Sequence, residues 1–575
     1  MSSISEGDSQ LEVEEGKKEE EKKEKKMKFD EFLFSHLGEM GKYQKIQFTL
    51  VCLPTIFCAM LALSWTFAGA QIAHRCAVDG EEKYGGYWND VTNTINKTTE
   101  CYDESWSALP AGAEGARCLY EQCKSGDGSV CSSIVYDTSR VSQSAIGRWE
   151  IVCDRGWIKA VVQACYYVGQ MVGSMTFGVL GDRIGRKKCF FVAIALQIIC
   201  GFIQSVAPTW WIYAFFRAGT GFSHPGIFVI ANVIGMELVG PRYRKLASVI
   251  TGLFFAVGQC ILGGVAMGIR DYQWLHVATT APAILFLSYW WLVPESARWL
   301  VSVRRFTEAD EVLQKAAKTN GVTLPDEWWT QLDGEEKSKD EEEQAMPVAR
   351  REYGFIDLLK TPELRKRSLV VFYLWPVVSM VYYGLSMKSD ILGGDMYINF
   401  IIGGLIEMPA LFLVFLFIDR IGRRYVLAIG YGLAGGCLLS NLLITPETPK
   451  FVSLVQLLIS RGSITATYAG IYMFSPELFP TVVRNSAMGV CSTVARVGAI
   501  AASFISMWIV ERYGKIFMLI PFGTMAILAT VLILVFLPET SGKALPATIE
   551  EIEDSHEMVE VQMESLTKKE ETSDE

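Results

Sequence analysis

The sequence has few charged residues and very few histidines for its length. Of 575 residues, 20% are charged and only 5 are histidine, whereas 50% are hydrophobic. This balance argues against an ordinary soluble enzyme. The net charge of −10 comes mainly from acidic residues near the two ends of the chain, so we expect no basic surface for a nucleic acid.

Several motifs that support chemistry are also missing. The chain has no phosphate-binding Gly-x-x-x-x-Gly-Lys-Ser/Thr sequence, no Cys/His set at zinc spacing and no pairing of a nucleophile with a base. We therefore predict that the protein is not an enzyme, needs no cofactor or metal, and is not a pump driven by ATP hydrolysis.

Long runs that lack Asp, Glu, Lys and Arg recur along the chain. About 20 helical residues cross the hydrocarbon core of a bilayer, and lipid leaves backbone groups no partner except those within a helix. The sequence therefore predicts an all-α integral membrane protein with twelve transmembrane helices. The predicted spans are 46–73, 160–181, 189–207, 210–236, 246–269, 274–294, 368–387, 396–418, 425–446, 451–476, 485–510 and 516–538.

Basic residues in short loops set the predicted orientation. They follow spans 2, 4 and 8, as at Arg186, Arg242 and Arg424, and the alternate loops carry little positive charge. The positive-inside rule then puts both termini in the cytoplasm, with the plasma membrane as the expected location. No cleavable signal peptide opens the sequence. The predicted division is a cytoplasmic tail over 1–43, a first bundle over 44–293 that includes an exofacial loop over 74–156, a cytoplasmic central loop over 294–367, a second bundle over 368–538 and an acidic cytoplasmic tail over 539–575.

The predicted exofacial loop is rich in cysteine. It contains six of the 14 cysteines, in a compartment where disulfides persist, so three bridges are expected with their pairing left open. Asn96 begins an Asn-Lys-Thr sequon, and we predict that it is glycosylated; a chance tripeptide is the alternative. The disulfide candidates are Cys76, Cys101, Cys118, Cys123, Cys131 and Cys153.

Four landmarks occur twice in the same order. The hexapeptide that begins at Asp182 returns at Asp419, an offset of 237 residues, and Glu237 and Arg244 return as Glu477 and Arg484, an offset of 240. This repetition indicates a duplication, with six spans in each copy. The predicted architecture is two pseudo-symmetric six-helix bundles with a central site where they meet. The other two pairs are Pro294-Glu295 with Pro538-Glu539, and Arg217 with Arg461.

Several segments resemble one transporter family. GVLGDRIGRKK over 178–188 resembles the signature loop of the major facilitator superfamily, and Arg217 with Gly221 resembles its Arg-x-x-x-Gly element. Other segments resemble the organic cation/anion/carnitine transporter family, especially insect organic cation transporter proteins, over about residues 30–550. These segments are WEIVCD (149–154), PESARWL (294–300), YYGLS (382–386), ELFPTVVRN (477–485) and PETSGKALPATIE (538–550).

The repeated Asp-Arg-x-Gly-Arg loops are predicted to form a conformational latch. Glycine permits a turn that other residues resist, and the aspartates can accept bonds from basic groups on neighbouring helices. Such a cluster can hold the two bundles together in one state and release them in another. The alternative is that the arginines only set topology. The predicted latch residues are Asp182, Arg183, Gly185, Arg186, Glu237, Arg244, Asp419, Arg420, Arg423, Glu477 and Arg484.

Four charged residues lie inside predicted spans. A charge at the bilayer centre costs roughly 3 kcal/mol on insertion scales, so each should face protein or water and have a partner. We interpret Arg217 and Arg461 as mainly structural. Glu407 and Arg496 lie near the middle of spans 8 and 11, which makes them the strongest candidates for substrate binding. The alternative is an internal Glu407–Arg496 ion pair that neutralises both.

The resemblance implies a substrate site around these residues. Glu407 matches an acidic position used by the family's cation carriers, and Arg496 stands where anion and carnitine carriers have arginine. Phe228, Phe255 and Tyr382 align with ligand-lining positions, and aromatic faces attract an ammonium group. We expect a transporter of small organic cations or carnitine-like zwitterions that works by alternating access. The alternatives are an organic anion exchanger and a non-transporting receptor or scaffold; the coupling ion stays open.

Overall fold

The structure is a computed structural model that describes residues 29–76, 101–102, 108–109, 117–118, 123, 131, 134–138, 141–325, 328–331, 355–388, 395–445, 448–543, 546 and 548–553. Asn96, the predicted glycosylation site, lies outside these residues.

The first half of the described chain is almost entirely helical before the central loop. Its helices are α1 (Phe29–Leu37), α2 (Lys42–Leu63), α3 (Trp65–Ala68), α4 (Ala145–Trp149), α5 (Trp157–Ile184), α6 (Arg186–Val206), α7 (Trp210–Leu238), α8 (Pro241–Gly268), α9 (Tyr272–Thr280) and α10 (Tyr289–Leu292). Two 3₁₀ turns, Cys153–Arg155 and Ala281–Ser288, lead into α5 and join α9 to α10.

The central loop and the second half follow the same pattern. The central loop contains α11 (Ala297–Ser302), α12 (Phe306–Asn320) and the 3₁₀ turns Trp328–Gln331 and Phe355–Leu359. The second half contains α13 (Pro362–Met387), α14 (Met396–Phe417), α15 (Arg423–Ser440), the 3₁₀ turn Asn441–Leu443, α16 (Lys450–Leu478), α17 (Arg484–Phe504), the π-helical segment Ile505–Ile509, α18 (Val510–Tyr513) and α19 (Ile516–Phe536).

The membrane architecture agrees with the twelve predicted spans. Nine helical segments of the described chain are long and apolar enough to cross a membrane. The remaining three predicted spans correspond to α5, α7 and α16, which have 28, 29 and 29 residues. These three carry Gln163, Arg217 and Arg461 among their side chains, which lowers their hydropathy without shortening them. The predicted all-α fold with two six-helix bundles is confirmed.

Local sequence sets where several helices begin. Asp271 accepts hydrogen bonds from the backbone N–H groups of Gln273 and Trp274, and Asp395 does the same for Tyr397 and Ile398. Aspartate is a favoured N-cap because its carboxylate pairs with amides that have no partner within the helix. Helices α8 and α13 instead begin with proline, whose fixed φ suits the first helical turn.

The two ends of the helical bundle differ in construction. At one end lie the short strands β1 (His74–Cys76) and β5 (Ile134–Tyr136), paired antiparallel, together with β2 (Cys101–Tyr102), β3 (Ala108–Leu109) and β4 (Arg117–Cys118) in order β3-β2-β4. We call this the disulfide end, because Cys76 pairs with Cys131 and Cys123 with Cys153 there. Cys101 and Cys118 stand opposite each other in the pairing of β2 with β4.

We call the opposite end the motif end, because the two repeated Asp-Arg-x-Gly-Arg turns lie there. A small apolar cluster covers part of it. Phe32 of α1 stacks on Trp328 with ring centroids 5.4 Å apart, and both side chains are fully buried. Asn320, at the end of α12, accepts a hydrogen bond from the Tyr43 backbone N–H at 2.8 Å. The central loop is therefore fixed to the start of the first long helix.

Each half is packed tightly where its helices cross. On α5 and α7, a Cβ added to Gly169 would collide with the Ala218 carbonyl, and one added to Gly221 would collide with the Tyr166 carbonyl. On α17, a Cβ on Gly498 would meet the Pro376 carbonyl of α13 in the same way. Glycine lets these backbones touch, which leaves each pair of helices no room to slide.

The last turns of the eleventh span depart from α-helical geometry. After α17, residues Ile505–Ile509 form a π-helical segment before α18 continues to Tyr513. A π segment inserts one extra residue into a helix, so the side chains beyond it are rotated relative to those before it. Glu511 therefore faces a direction that an uninterrupted α-helix would not give it.

Candidate functional site

The first repeated turn is closed by a carboxylate from a distant part of the chain. Gly185 has φ of +102°, a conformation that favours glycine, and a Cβ there would collide with the Glu295 carboxylate. Glu295 Oε1 accepts hydrogen bonds from the backbone N–H groups of Arg186 at 2.9 Å and Lys187 at 3.0 Å. The carboxylate caps the positive N-terminal end of α6.

The second turn repeats this geometry. Gly422 has φ of +102°, and the Glu539 carboxylate accepts from the backbone N–H groups of Arg423 at 2.9 Å and Arg424 at 3.1 Å. Glu295 and Glu539 belong to the Pro-Glu landmarks of the sequence repeat. That repetition was the available signal for them, but their function as caps depends on the three-dimensional arrangement.

The motif arginines form ion pairs within their own halves. Arg186 Nη2 lies 2.9 Å from Asp182 Oδ1 and 3.4 Å from Glu237 Oε1. In the second half, Arg423 lies 3.1 Å from Asp419 Oδ1 and 3.2 Å from Glu477 Oε2. Of the other predicted latch residues, Arg183 and Arg420 are exposed, and Arg484 donates to the Phe479 carbonyl.

One ion pair of the motif end joins the two halves. Lys245 of α8 pairs with Asp419, and its Nζ also donates to the Phe415 carbonyl at 2.8 Å. The side chains of Lys245 and Asp419 are 25% and 53% exposed, so the pair is partly in solvent. Lys245 was not among the predicted latch residues, because a lysine after span 4 looks the same in sequence as a topology charge.

Arg217 is fully buried, and its hydrogen bonds among the described residues all lie within the first half. Its guanidinium donates to the carbonyls of Leu61 at 2.7 Å and Ala62 at 2.9 Å, and to Gln163 Oε1 at 3.0 Å. It also donates to Ser64 Oγ and lies 4.9 Å from the ring centroid of Tyr166. Neutral oxygens thus stabilise this arginine, as expected for a structural residue.

Arg461, its counterpart in the repeat, has a different environment. Its Nη2 pairs with Glu407 Oε1 at 2.6 Å and donates to Gln259 Oε1 at 3.0 Å. The second carboxylate oxygen of Glu407 accepts from the Tyr382 hydroxyl at 3.2 Å. Glu407 and Arg461 are 2% and 6% exposed, which makes this a buried ion pair. The alternative prediction of an ion pair between Glu407 and Arg496 is therefore wrong. Glu407 on α14 pairs with Arg461 on α16 instead.

Gln259 connects this ion pair to the other half of the molecule. It lies on α8 of the first half, is fully buried, and donates through Nε2 to the Phe400 carbonyl at 3.2 Å while it accepts from Arg461. Gln259 was not predicted as a site residue, because an uncharged amide in a membrane span stands out less in a sequence than a charged side chain does.

Arg496 is buried among tyrosines instead of facing a carboxylate. Tyr383, Tyr468 and Tyr472 lie close enough to its guanidinium to interact with it electrostatically, and Tyr472 is within hydrogen-bonding reach. The side chain is 5% exposed, and among the residues that the structure describes its Nε and Nη1 atoms have no hydrogen-bond partner. Two donors of a buried cation are thus available to an acceptor that the described chain does not supply.

Aromatic side chains form a continuous path across the centre of the molecule. Phe228 and Phe255 are partly buried, with ring centroids 5.8 Å apart, and His224 contacts both of them. The path crosses from the first half to the second where Tyr167 lies 4.9 Å from Tyr383. It continues through Tyr166 and His224 on one side, and through Tyr382, Tyr468 and Tyr472 on the other.

The structure therefore brings some predicted site residues together more closely than others. Glu407 and Tyr382 touch directly, and Phe228 and Phe255 form one ring pair. Arg496 is linked to Tyr382 through Tyr383 and Tyr468, whose rings lie 5.1 Å and 5.4 Å from that of Tyr382. The shared region contains one carboxylate that is already paired, one arginine with available donors and several aromatic faces. It can offer donors to an anionic group and aromatic faces to an ammonium.

Comparisons with known proteins agree with this architecture. Residues 135–553 match a family model described as sugar (and other) transporter. The chain is 38% identical to an organic cation transporter protein of Drosophila melanogaster over 91% of this chain and 94% of that protein. It is 30% identical to the human organic cation/carnitine transporter 2 over 90% of this chain and 92% of that protein.

A solved structure shares the fold at low sequence identity. The inward-open xylose transporter XylE from E. coli superimposes with a TM-score of 0.55 at 15% identity, over 88% of this chain and 99% of that protein.

Proposed function

The chain belongs to the sugar (and other) transporter family and, within the major facilitator superfamily, to the organic cation transporters; from this premise we propose that it carries a small organic cation or zwitterion of carnitine-like chemistry. Transport proceeds by alternating access of the two halves to the central region.

The buried Arg496 guanidinium is the observation that carries the proposal. Its Nε and Nη1 atoms have no hydrogen-bond partner among the described residues, and each can donate to an oxygen of an acidic ligand. A buried charge with unmet donors is costly, and a ligand carboxylate would relieve that cost. We assign Arg496 to the acidic group of the substrate.

The aromatic residues and Glu407 complete the proposed substrate site. Phe228, Phe255 and Tyr382 offer ring faces to an ammonium, each contributing roughly 0.5 to 2 kcal/mol according to how far it is desolvated. Glu407 supplies negative charge next to Tyr382 while Arg461 balances it. A molecule with both an ammonium and a carboxylate can satisfy both parts of the site.

Uptake of labelled ligands into proteoliposomes containing the purified full-length protein tests the proposal. The panel contains carnitine, tetraethylammonium and a dicarboxylate, each with the wild type, Arg496→Lys and Arg496→Asp. We expect carnitine uptake to fall about tenfold in Arg496→Lys, because a lysine cannot place donors where both the Nε and Nη1 atoms of Arg496 lie, and to be lost in Arg496→Asp. Uptake of tetraethylammonium should rise in Arg496→Asp.

The control is Val497→Ala on the same helix, because Val497 is 55% exposed on the lipid-facing side. It should leave all three uptake rates unchanged. Preference of the wild type for the dicarboxylate would favour an organic anion exchanger on this fold. Absence of uptake for every ligand would favour a receptor or scaffold, and unchanged selectivity in Arg496→Asp would exclude the assigned role of Arg496.

We further propose the orientation in the plasma membrane. The disulfide end faces the outside, where cystine bridges persist, and both termini and the motif end face the cytoplasm. In this orientation the repeated turns act as a latch at the cytoplasmic end. The Lys245–Asp419 pair supports that function, since it joins the two halves there.

A further inference from the structure

A second ion cluster lies at the disulfide end, far along the helices from the motif turns. Glu511 Oε1 accepts from Lys159 Nζ at 2.5 Å and from Lys388 Nζ at 3.2 Å. The three side chains are only 15%, 8% and 8% exposed. Two lysines therefore share a single carboxylate oxygen in a mostly buried position.

The cluster crosses the boundary between the halves. Lys159 lies in the first turn of α5 in the first half, whereas Lys388 follows α13 and Glu511 lies on α18 in the second half. Beside the cluster, Gly156 of the first half faces the ring of Trp508 in the π-helical segment. The Lys159–Glu511 bond thus lies on the seam that has to part if the halves separate at this end.

The neighbouring strand segment is packed against the same cluster. His74 lies close enough to Glu511 for its ring to respond to that charge, and its Nδ1 is 3.1 Å from the Ile72 carbonyl. Burial lowers the pKa of His74, so the ring is neutral at neutral pH and the lysines remain the cations that face Glu511. The Cys123–Cys153 bridge, also close to His74, fixes the start of α5 beside it.

We propose that Glu511 is the gate residue of the disulfide end. Its bond to Lys159 keeps the halves together there and breaks each time the central site opens toward that end. Lys388 belongs to the same half as Glu511 and stays bound to it, so the carboxylate keeps a partner in both states. The inference concerns the transport cycle and does not depend on the charge of the substrate.

The ion pairs that join the halves at the two ends differ in how deeply they are buried. The Lys245–Asp419 pair of the motif end is substantially exposed, whereas the Lys159–Glu511 pair is mostly buried. Exposed pairs contribute little because water and salt screen them, whereas a mostly buried pair is screened much less and attracts more strongly while the end is closed. The gate therefore biases the resting protein toward a closed disulfide end.

The test uses cross-linking between the halves of the full-length protein. Gly156→Cys and Trp508→Cys are introduced together, with a protease site inserted in the central loop between residues 332 and 350. After oxidation and cleavage, only cross-linked halves migrate together on a non-reducing gel. The cross-linking rate then reports how often the disulfide end is closed, in double-cysteine protein first shown to reach the membrane at the wild-type level.

The variants distinguish the effect of the Lys159–Glu511 bond, which joins the halves, from that of the Lys388–Glu511 bond, which lies within the second half. We expect Lys159→Met and Glu511→Gln to slow cross-linking at least fivefold, and the matched control Lys388→Met to change it less than twofold. The exchange Lys159→Glu with Glu511→Lys keeps two cations and one anion, and should restore the rate to within twofold.

The proposal can be tested even if one of the variants fails to fold. If Glu511→Gln does not reach the membrane, Lys159→Met alone decides, because Lys388 still holds Glu511 in that variant. Wild-type cross-linking in Lys159→Met, an equal effect of Lys388→Met, or failure of the exchange to restore the rate would overturn the gate. None of these results depends on which ligand the protein carries, so the proposed substrate stands or falls separately.

Discussion

Arg217 and Arg461 occupy equivalent places in the two halves, and the chain uses them in opposite ways. Arg217 is bonded to carbonyls and neutral side chains of its own half. Arg461 pairs with a carboxylate and also bonds to Gln259 of the other half. Duplication thus preserved the charge and changed its partners. The buried arginine of the first half is therefore held within that half, whereas the buried arginine of the second half is also bonded across the boundary between the halves.

Removing the guanidinium of Arg217 should have the largest effect on folding. In Arg217→Leu, the Ala62 carbonyl and Gln163 Oε1 lose the guanidinium donor, while the Ser64 hydroxyl still donates to the Leu61 carbonyl, and each buried unsatisfied group costs about 1–3 kcal/mol. We expect a thermal unfolding midpoint at least about 10 °C below that of the wild type. Fluorescence-detected size exclusion after heating measures it. A wild-type midpoint would show that Arg217 is not the structural residue of the pair.

Removing Arg461 should have a slightly smaller effect on folding and a complete effect on transport. Arg461→Leu leaves Glu407 buried without its cation, which costs about 3–5 kcal/mol. The double variant Arg461→Leu/Glu407→Leu should recover most of the midpoint and still lack uptake. If the double variant were no more stable than the single one, the ion pair would not be the source of the loss.

The two glutamines that bind these arginines offer a matched comparison. Gln163→Leu and Gln259→Leu each remove a bond to a buried arginine, so we expect a loss of about 1–2 kcal/mol from either. Only Gln259 ties one half to the other, and its loss should raise the maximal uptake rate two- to fivefold with little change in KM. Equal uptake in the two variants would contradict a coupling function for Gln259.

The smallest expected effect concerns the motif end. The Lys245–Asp419 pair joins the halves, whereas Asp182 pairs with Arg186 inside its own half. Because exposed pairs are worth about 1 kcal/mol or less, Lys245→Gln should change the uptake rate less than about fivefold, and raised salt should mask the difference. Asp182→Asn removes a pair inside one half and should change the rate less than Lys245→Gln does. Uptake at 50 mM and 500 mM salt checks both expectations.

The sequence predicted the scaffold better than the contacts inside it. Charge-free runs follow from the bilayer, and repeated landmarks follow from duplication. Both are visible in the order of residues along the chain, so the twelve helices and two bundles could be predicted from the sequence. Depth along a helix placed Glu407 and Arg496 near the membrane centre but could not choose between Arg461 and Arg496 as the partner of Glu407. That choice depends on which helices are neighbours and how each is rotated.

Other contacts were harder to predict from the sequence. Glu295 and Glu539 repeat in the sequence, yet their capping bonds reach residues more than a hundred positions away. Glu511 and Lys159 are charges near predicted loop ends, where charged residues are common, so nothing singled them out. The cysteine pairing was open to 15 arrangements by the rule for six cysteines, and only the three-dimensional arrangement shows that Cys76 pairs with Cys131 and Cys123 with Cys153.

The π-helical segment Ile505–Ile509 divides the eleventh span into two parts whose side chains are rotated relative to each other about the helix axis. Arg496 precedes the segment and Glu511 follows it, so the extra residue offsets one from the other by roughly 100° about the helix axis. Deleting a single residue from the segment would rotate Glu511 away from Lys159 and would leave the direction of the Arg496 side chain unchanged. The segment therefore separates the orientation of the proposed gate residue Glu511 from that of the proposed substrate-binding residue Arg496, although both lie on one span.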